Sequence, residues 1–226
     1  MNVNINAWSD TLSDVSNVDT AIVFDFGRVV FDWQPEALLS RVLPQRAATP
    51  EAAAHWVNQI FQSYQGDWGD FDSGQVEVPA LIERIARRTG LDEAEVLAVV
   101  DAAPASLTPL PGTVALMERL KAAGRPLYFL SNMPLPFAEH LERTHHFMGW
   151  FDGGVFSSRA KVNKPAAAIF DHALKQFGLP AEQILFIDDH GPNVEAAKAL
   201  GWQAVQFVGD VELERELIER GLIAQT

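Results

Sequence analysis

Polar side chains that could act on a phosphoryl group follow apolar runs at several places in the chain. They are Asp25, Ser131 with Asn132, Lys164, and Asp188 with Asp189. Three carboxylates brought together repel one another, and a hard divalent cation such as Mg²⁺ removes that repulsion. One carboxylate is then free to attack phosphorus while the metal ion and an ammonium group draw off charge. These residue types therefore predict metal-assisted phosphoryl chemistry.

Taken singly, each of these residues also has an ordinary structural interpretation. Asp25 could cap a turn, and the Asp188-Asp189 pair could cap a helix. Ser131 fits a turn, and Lys164 fits an exposed surface. Their order along the chain favours a shared site, because each stands at the end of a predicted strand or the start of a predicted helix.

The predicted strands explain how such distant residues can meet. Short apolar runs predict strands at 20–26, 126–130, 154–157, 183–187 and 203–207, with helical patterns between them. This alternation indicates an α/β fold with a doubly wound parallel sheet. Ligands bind outside the carboxyl ends of such strands, where Asp25, Ser131 and Asp188 would lie. Pro165 suits the first turn of a helix, and a helix beginning there would bring Lys164 to the same edge.

A helical block interrupts the alternation after the first strand. Helices are predicted at 36–43, 50–64, 78–89 and 94–103, and the glycine- and acid-rich segment 66–74 is predicted to be a loop. We interpret residues 32–108 as an α-helical cap inserted into a core formed by residues 19–31 and 109–226. Residues 1–18 are interpreted as a loosely ordered lead-in.

The composition restricts the classes of function. The chain has 226 residues, no cysteine and a formal net charge of −13, so zinc–thiolate sites and cysteine nucleophiles are excluded. An acidic surface repels nucleic acid and anionic membranes, and neither is expected as a partner. The chain shows neither a secretory signal nor an apolar run that could span a membrane. A cytoplasmic location and a small phosphorylated metabolite as partner are expected.

Four motifs in this order resemble those of the haloacid dehalogenase superfamily, and in particular its phosphatases with a helical cap after the first strand. They are Val23-Phe-Asp25-Phe-Gly-Arg-Val29, Phe129-Leu-Ser131-Asn132, Lys164-Pro165 and Phe186-Ile-Asp188-Asp189-His-Gly-Pro-Asn193. The resemblance extends from about Ile22 to Phe207. It implies a Rossmann-like core that carries the cap, and Mg²⁺ as the cofactor.

The resemblance implies a role for each matching residue. Asp25 would be the nucleophile and a metal ligand, and the Gly27 backbone carbonyl would be a further ligand. Ser131 and the amide of Asn132 would hold the phosphoryl oxygens. Lys164 would neutralise the nucleophile and the transferring phosphate.

The last motif is implied to complete the metal site. Asp189, with Asp188 beside it, would bind Mg²⁺ directly or through water, and Asn193 would orient Lys164 or these acids. His190 titrates in the range useful for proton transfer, although an exposed loop histidine is its more ordinary interpretation.

One position departs from the family pattern. The usual motif is Asp-x-Asp, whose second carboxyl is the general acid and base, and this chain has Gly27 there. Loss of such a group typically costs about 10²–10⁴ in rate. A branch resembling sugar-phosphate phosphatases, including glucose-1-phosphate phosphatases, also has Asp-x-Gly-x-Val, with Asn in place of Arg28. A sugar hemiacetal leaves more easily than an alcohol, which agrees with Gly27. Asp67 or Asp72 could supply a carboxyl instead.

Alternatives from other classes stay open. A 2-haloacid dehalogenase-type hydrolase needs neither a protonated leaving group nor a metal, but its relatives carry neutral residues in place of Asp188-Asp189. A phosphate-binding protein of the same fold without turnover is supported only by Gly27. Phosphonate cleavage through a cap lysine is disfavoured because residues 32–110 contain no lysine. A phosphomutase is disfavoured because it relies on the missing acid.

Overall fold

A five-stranded parallel sheet forms the centre of the computed structural model, which describes residues 20–225. The strands of the chain are β1 (Ala21–Phe24), β2 (Phe31–Asp32), β3 (Thr108–Pro109), β4 (Leu127–Ser131), β5 (Gly153–Phe156), β6 (Ile184–Asp188) and β7 (Gln203–Gln206). The sheet has the order β5-β4-β1-β6-β7, and each pairing is parallel. The predicted α/β fold is confirmed. The predicted lead-in, residues 1–18, lies outside the described residues.

Helices cover the sheet and fill the segment between β2 and β3. They are α1 (Pro35–Val42), α2 (Pro50–Phe61), α3 (Gly66–Asp72), α4 (Val78–Thr89), α5 (Glu93–Ser106), α6 (Pro111–Ala122), α7 (Leu135–Thr144), α8 (Ser157–Ala160), α9 (Ala167–Phe177), α10 (Gly191–Ala199) and α11 (Asp210–Glu219). Short 3₁₀ segments lie at Gln62–Tyr64, His146–Trp150 and Ala181–Gln183. Within residues 20–225, no helix has the length and apolar character needed to cross a membrane.

Alternate residues of β1 pack on opposite faces of the sheet. Ile22 and Phe24 belong to the core cluster that continues into α1–α5, whereas Val23 belongs to the cluster under α9 and α10. Every residue of β1 is fully buried. A strand covered on both faces has no polar side, and its sequence is therefore a continuous apolar run.

An antiparallel ribbon joins the sheet to the helical block formed by α1–α5. In this ribbon Phe31 of β2 pairs with Pro109 of β3, and Asp32 pairs with Thr108. The sequence did not predict these strands, because two residues are too few to show an alternating pattern. The ribbon lies close to the predicted limits of the cap, and the division of the chain into domains stays a prediction.

Capping groups set several helix ends in the helical block. The side chain of Thr49 accepts the Ala52 N–H at 3.2 Å at the start of α2. Asp92 and Glu95 form a reciprocal capping box at the start of α5, and Gly90, in a left-handed conformation, ends α4. Such local signals can be read from sequence, and the predicted helix at 78–89 is confirmed with its limits.

The predicted loop at 66–74 is wrong, because Gly66–Asp72 form α3. Trp68 and Phe71 of this helix are buried and pack edge-to-face against each other and against Phe137. The glycines and acids of the segment gave a turn signal, but burial of the two rings stabilises a helix instead.

Candidate active site

The carboxyl ends of the three central strands place the predicted site residues side by side. β1 pairs with β4 on one side and with β6 on the other. Asp25 follows the last residue of β1, Ser131 is the last residue of β4, and Asp188 is the last residue of β6. The sheet therefore brings these residues to one edge, as its predicted topology requires.

The Asp25 carboxylate is almost completely buried and faces a cation. The residue is 8% exposed, and its Oδ1 lies 2.9 Å from Nζ of Lys164. Burial raises the pKa of Asp25 to about 7; the charge of Lys164 opposes the rise, and Asp188 and Asp189 add to it. A carboxylate nucleophile must be ionised, so at neutral pH this site calls for further positive charge.

The Lys164 ammonium has an acceptor for each of its three N–H groups. Nζ lies 2.9 Å from the Leu130 carbonyl, 2.6 Å from Asp188 Oδ2 and 2.9 Å from Asp25 Oδ1. Burial alone would lower the pKa of Lys164, but Asp188 and Asp25 raise it above its ordinary value. Lys164 is therefore charged and held directly against the candidate nucleophile.

Lys164 is positioned by Asn132 and not, as predicted, by a helix that begins at Pro165. The Asn132 side chain accepts the Lys164 N–H at 2.8 Å and donates to the Lys164 carbonyl at 3.1 Å. The helix α9 begins only at Ala167. Lys164 and Pro165 lie in a turn, in which the two hydrogen bonds to Asn132 hold the Lys164 backbone, and the helix starts after this turn.

Asp188 is fully buried and accepts hydrogen bonds on both carboxylate oxygens. Besides Lys164, the His190 N–H donates to Oδ1 at 2.8 Å, and Asn193 Nδ2 lies 3.1 Å from Oδ1 and 3.0 Å from Oδ2. These donors compensate the cost of burying the charge. The position of Asn193 matches the predicted contact with the acid pair.

Asp189 faces the open side of the cluster. Its side chain is 27% exposed, and Oδ2 lies 3.6 Å from Nε of Arg28. Burial raises the pKa of Asp189 and Asp188 adds to the rise, while the charges of Arg28 and Lys164 oppose it. In the structure Arg28 is therefore the partner of a neighbouring acid, Asp189.

The three acids form a cluster whose donor atoms suit a hard divalent cation. One carboxylate oxygen from each of Asp25, Asp188 and Asp189 lies within 4.8 Å of the others. Oxygen ligands of this kind are those that Mg²⁺ prefers. Lys164 offsets only one of three negative charges, so a divalent cation would bring the group to neutrality.

The surroundings of Gly27 are open. A Cβ atom placed on Gly27 would meet no heavy atom within 4 Å. The following residue, Arg28, has a φ of 60°, and its N–H donates to the Phe31 carbonyl at 2.7 Å. This turn has room for a carboxyl at position 27, and the chain has none there.

Asp67 and Asp72, the two acids that could replace the missing carboxyl, each interact with side chains of the helical block. Asp67 accepts a hydrogen bond from Arg88 Nε at 3.0 Å and is the partner of that cation. Asp72 is 3% exposed, and its burial raises the pKa well above the ordinary value, with a hydrogen bond from Trp68 opposing the rise. Burial inside the helical block therefore favours the protonated form of Asp72.

Three hydrogen bonds that the sequence did not reveal tie the segment before Lys164 to the end of α3. The Ser157 hydroxyl donates to the Asp72 carbonyl at 2.6 Å, and the Lys161 ammonium donates to the Gly74 carbonyl at 2.8 Å. The Asn163 side-chain amide donates to the Gly69 carbonyl at 2.7 Å. The Ser157 hydroxyl also accepts the Met133 N–H at 2.9 Å. Contacts to backbone carbonyls depend on no residue pattern, which is why no sequence signal marks them.

One protein family, described as haloacid dehalogenase-like hydrolases, matches residues 20–201 of this chain. The match includes every candidate site residue and the whole helical block. It supports the superfamily resemblance that the four motifs indicated.

Curated relatives include phosphatases and dehalogenases. A sesquiterpene phosphatase, astK, from Aspergillus oryzae is 28% identical over 197 residues, which cover 87% of this chain and 94% of the relative. An (S)-2-haloacid dehalogenase from Pseudomonas putida is 35% identical over 97 residues, which cover 42% of this chain and 42% of the relative. Of these two matches, the phosphatase match extends over most of both chains.

A solved structure of similar fold is the HAD family enzyme bt-2542 from Bacteroides thetaiotaomicron, in complex with magnesium and inorganic phosphate. Its TM-score is 0.66 at 17% identity, and the match covers 83% of this chain and 93% of that chain. At this level of identity the likeness shows the fold alone.

Proposed function

The chain belongs to the haloacid dehalogenase-like hydrolases, and on that basis we propose that it is a Mg²⁺-dependent phosphatase that forms a phospho-aspartate at Asp25. The observation that carries the proposal is the ion pair of Asp25 with Lys164 inside the acidic cluster. A buried carboxylate held against an ammonium and beside a candidate metal site suits attack on a phosphoryl group, because the positive charges offset those of the phosphoryl oxygens.

The proposed metal ligands are carboxylates of Asp25, Asp189 and Asp188 and the backbone carbonyl of Gly27. When bound, Mg²⁺ would supply positive charge that offsets the acids and the phosphoryl oxygens. Asp188 already accepts hydrogen bonds on both oxygens. Asp25 and Asp189 therefore keep the more available oxygen atoms.

The proposed reaction has two steps at Asp25. The carboxylate oxygen that is not paired with Lys164 attacks phosphorus, a new P–O bond forms, and the bond to the leaving oxygen breaks. Lys164, the Ser131 hydroxyl and the Asn132 main-chain N–H bind the phosphoryl oxygens, since the Asn132 side chain is engaged with the Lys164 backbone. Water then attacks the phospho-aspartate, releases inorganic phosphate and restores Asp25.

The leaving group of the substrate is restricted by Gly27, because no carboxyl at that position can protonate it. A sugar phosphate such as glucose 1-phosphate meets this restriction, since its hemiacetal oxygen leaves more easily than that of a simple alcohol. The relative named sesquiterpene phosphatase suggests the phosphate of an apolar alcohol as a second class.

Carbon–halogen cleavage is the second candidate function, because a relative named dehalogenase is 35% identical over 97 residues. Gly27 is compatible with it, since halide needs no proton. The acid pair opposes it: without a metal ion, Asp188 and Asp189 beside Asp25 would repel the nucleophile's charge.

The experiment that tests the proposal measures phosphate release with and without Mg²⁺ on p-nitrophenyl phosphate and on panels of sugar and terpenyl phosphates. The Asp25→Asn variant is the control. Mg²⁺-dependent release that disappears in the variant is expected. Halide release from short 2-haloacids without phosphate release would establish the dehalogenase instead. Silence in both assays, together with bound phosphate, would point to a phosphate-binding protein.

A further inference from the structure

Arg28 extends its guanidinium into solvent at the border of the acidic cluster. Its side chain is 69% exposed, and its 3.6 Å approach to Asp189 is longer than a hydrogen bond. Within residues 20–225, this is the one ion pair that Arg28 makes, so most of its N–H donors are available to a ligand. Arg88 of the helical block differs, because it donates to Asp67 and to the Gln59 carbonyl at 3.0 and 2.7 Å.

The backbone holds Arg28 at this place against a conformational preference. A φ of 60° is unfavourable for a residue with a side chain, by roughly 1–2 kcal/mol. The hydrogen bond from its N–H to the Phe31 carbonyl keeps the turn closed. Strain of this kind persists at sites where the position of a side chain matters.

Arg28 and Ser131 lie on opposite sides of Asp25. Ser131 ends β4, whereas Asp189, the partner of Arg28, follows β6, and β1 lies between these two strands. A phosphoryl group bound at Ser131 and transferred to Asp25 would therefore have the remainder of its substrate toward Arg28. Burial raises the pKa of Tyr64 and the charge of Arg28 opposes that rise, so the Arg28 guanidinium lies near the Tyr64 hydroxyl.

Resting on the phosphatase function above, we propose that the substrate is an organic diphosphate, with its terminal phosphoryl group transferred to Asp25 and its inner phosphate bound by Arg28. Asp25 forms a bond to the terminal phosphorus, and the bridging P–O bond breaks. Its electron pair stays on the departing organic monophosphate. Water then hydrolyses the phospho-aspartate to inorganic phosphate.

Gly27 supports this assignment independently of Arg28. A departing phosphate monoester has a pKa of about 6, far below that of an alcohol, so the bridging bond breaks without a proton donor. The position that lacks an acid and the position that carries an exposed cation are neighbours in sequence. Together they suit a leaving group that departs as an anion.

The test compares matched monophosphates and diphosphates of methanol, geraniol and adenosine, with p-nitrophenyl phosphate as reference and Mg²⁺ throughout. The wild-type protein is expected to favour the diphosphate by about tenfold or more in kcat/KM in at least one pair. Arg28→Ala is expected to remove that preference, with a loss of about 10- to 100-fold on the diphosphate and little change on the reference. Arg28→Lys keeps the charge without the planar fork and is expected to restore part of the preference.

Arg87→Ala is the matched control, because the Arg87 side chain is 72% exposed on α4 and pairs with Glu83 of the same helix. This substitution is expected to leave kcat/KM unchanged on both the diphosphate and the reference. Equal or better turnover of the monophosphate in every pair would overturn the proposal. An equal loss of kcat/KM on the diphosphate and on the reference in Arg28→Ala would also overturn the proposal. That result would make Arg28 a positioning residue for Asp189. Absence of release from the reference and from every monophosphate and diphosphate by the wild-type protein would overturn the phosphatase function itself, and this inference with it.

Discussion

The Lys164 ammonium lies 2.6 Å from the Asp188 carboxylate, and almost no part of either side chain reaches solvent. The same ammonium lies 2.9 Å from Asp25. Asp188 thus holds the cation that faces the candidate nucleophile, and His190 and Asn193 hold Asp188 in turn. An interaction of this kind is expected to affect folding and chemistry together, because breaking a buried pair leaves an uncompensated charge.

Asp188→Asn is expected to lower the free energy of unfolding by about 3–5 kcal/mol. The substitution removes one of the two carboxylates that pair with the buried Lys164 ammonium. It also places an amide NH₂ where the Asp188 carboxylate accepted hydrogen bonds from other donors. Urea denaturation followed by circular dichroism measures the loss.

Asp189→Asn is the matched control for that experiment, because the Asp189 side chain is 27% exposed and its partner, Arg28, lies 3.6 Å away. It is expected to change stability by less than about 1 kcal/mol. It is also expected to raise the Mg²⁺ concentration needed for half-maximal activity. Equal destabilisation by the two variants would contradict the central position given to Asp188.

Gly27→Asp is expected to add the missing acid, because a Cβ at this position meets no heavy atom within 4 Å. Turnover of alkyl phosphates, which need a protonated leaving group, should rise by up to about 10². Turnover of p-nitrophenyl phosphate should change little. Gly27→Asn has the same size without the acid, and similar rates in the two variants would rule out proton donation as the cause.

Ser157→Ala is expected to lower the free energy of unfolding by about 1–3 kcal/mol. Its hydroxyl accepts the Met133 N–H and donates to the Asp72 carbonyl, and the substitution leaves both buried groups without that partner. Ser158→Ala provides the comparison, because the buried Ser158 hydroxyl makes no hydrogen bond within the described residues. That variant should stay within about 0.5 kcal/mol of the wild type, and an equal loss in both would show that volume, not hydrogen bonding, matters.

The stability of the metal-free protein should depend on pH through Asp25. Burial raises the pKa of Asp25 from 3.8 to about 7, so the folded protein binds this proton more tightly than the unfolded chain does. The associated stability is present below the ordinary value and is lost as pH rises through about 7. The wild type should therefore lose stability relative to Asp25→Asn between these limits. Asp72 and Asp189 are present in both proteins, so the difference isolates Asp25.

Urea denaturation of the two proteins across this pH range, in the presence of a chelator, provides the measurement. Saturating Mg²⁺ should reduce the pH dependence, because a bound metal ion favours the ionised carboxylate. Parallel stability curves for the wild type and the variant would contradict a raised pKa at Asp25.

Several elements of the fold and site followed from local sequence signals. The continuous apolar run of β1 and the alternation of strands and helices predicted Asp25, Ser131 and Asp188 at one edge of a parallel sheet, as the structure shows. A proline in the first turn and Gly90 after the last residue mark the two ends of α4. The loop predicted at 66–74 was wrong, because burial of Trp68 and Phe71 stabilises a helix there despite the local turn signal.

The sequence by itself determined the parallel α/β fold, the family and the acids at the strand ends, because strands and caps depend on neighbours along the chain. The tertiary structure alone decided what holds these groups. Asn132 positions Lys164 across 32 residues, and Ser157 reaches the Asp72 carbonyl across 85. Arg28 meets Asp189 only because β1 and β6 are adjacent. Such contacts join backbone groups and single side chains that are distant in sequence, and no periodic pattern of residues encodes them.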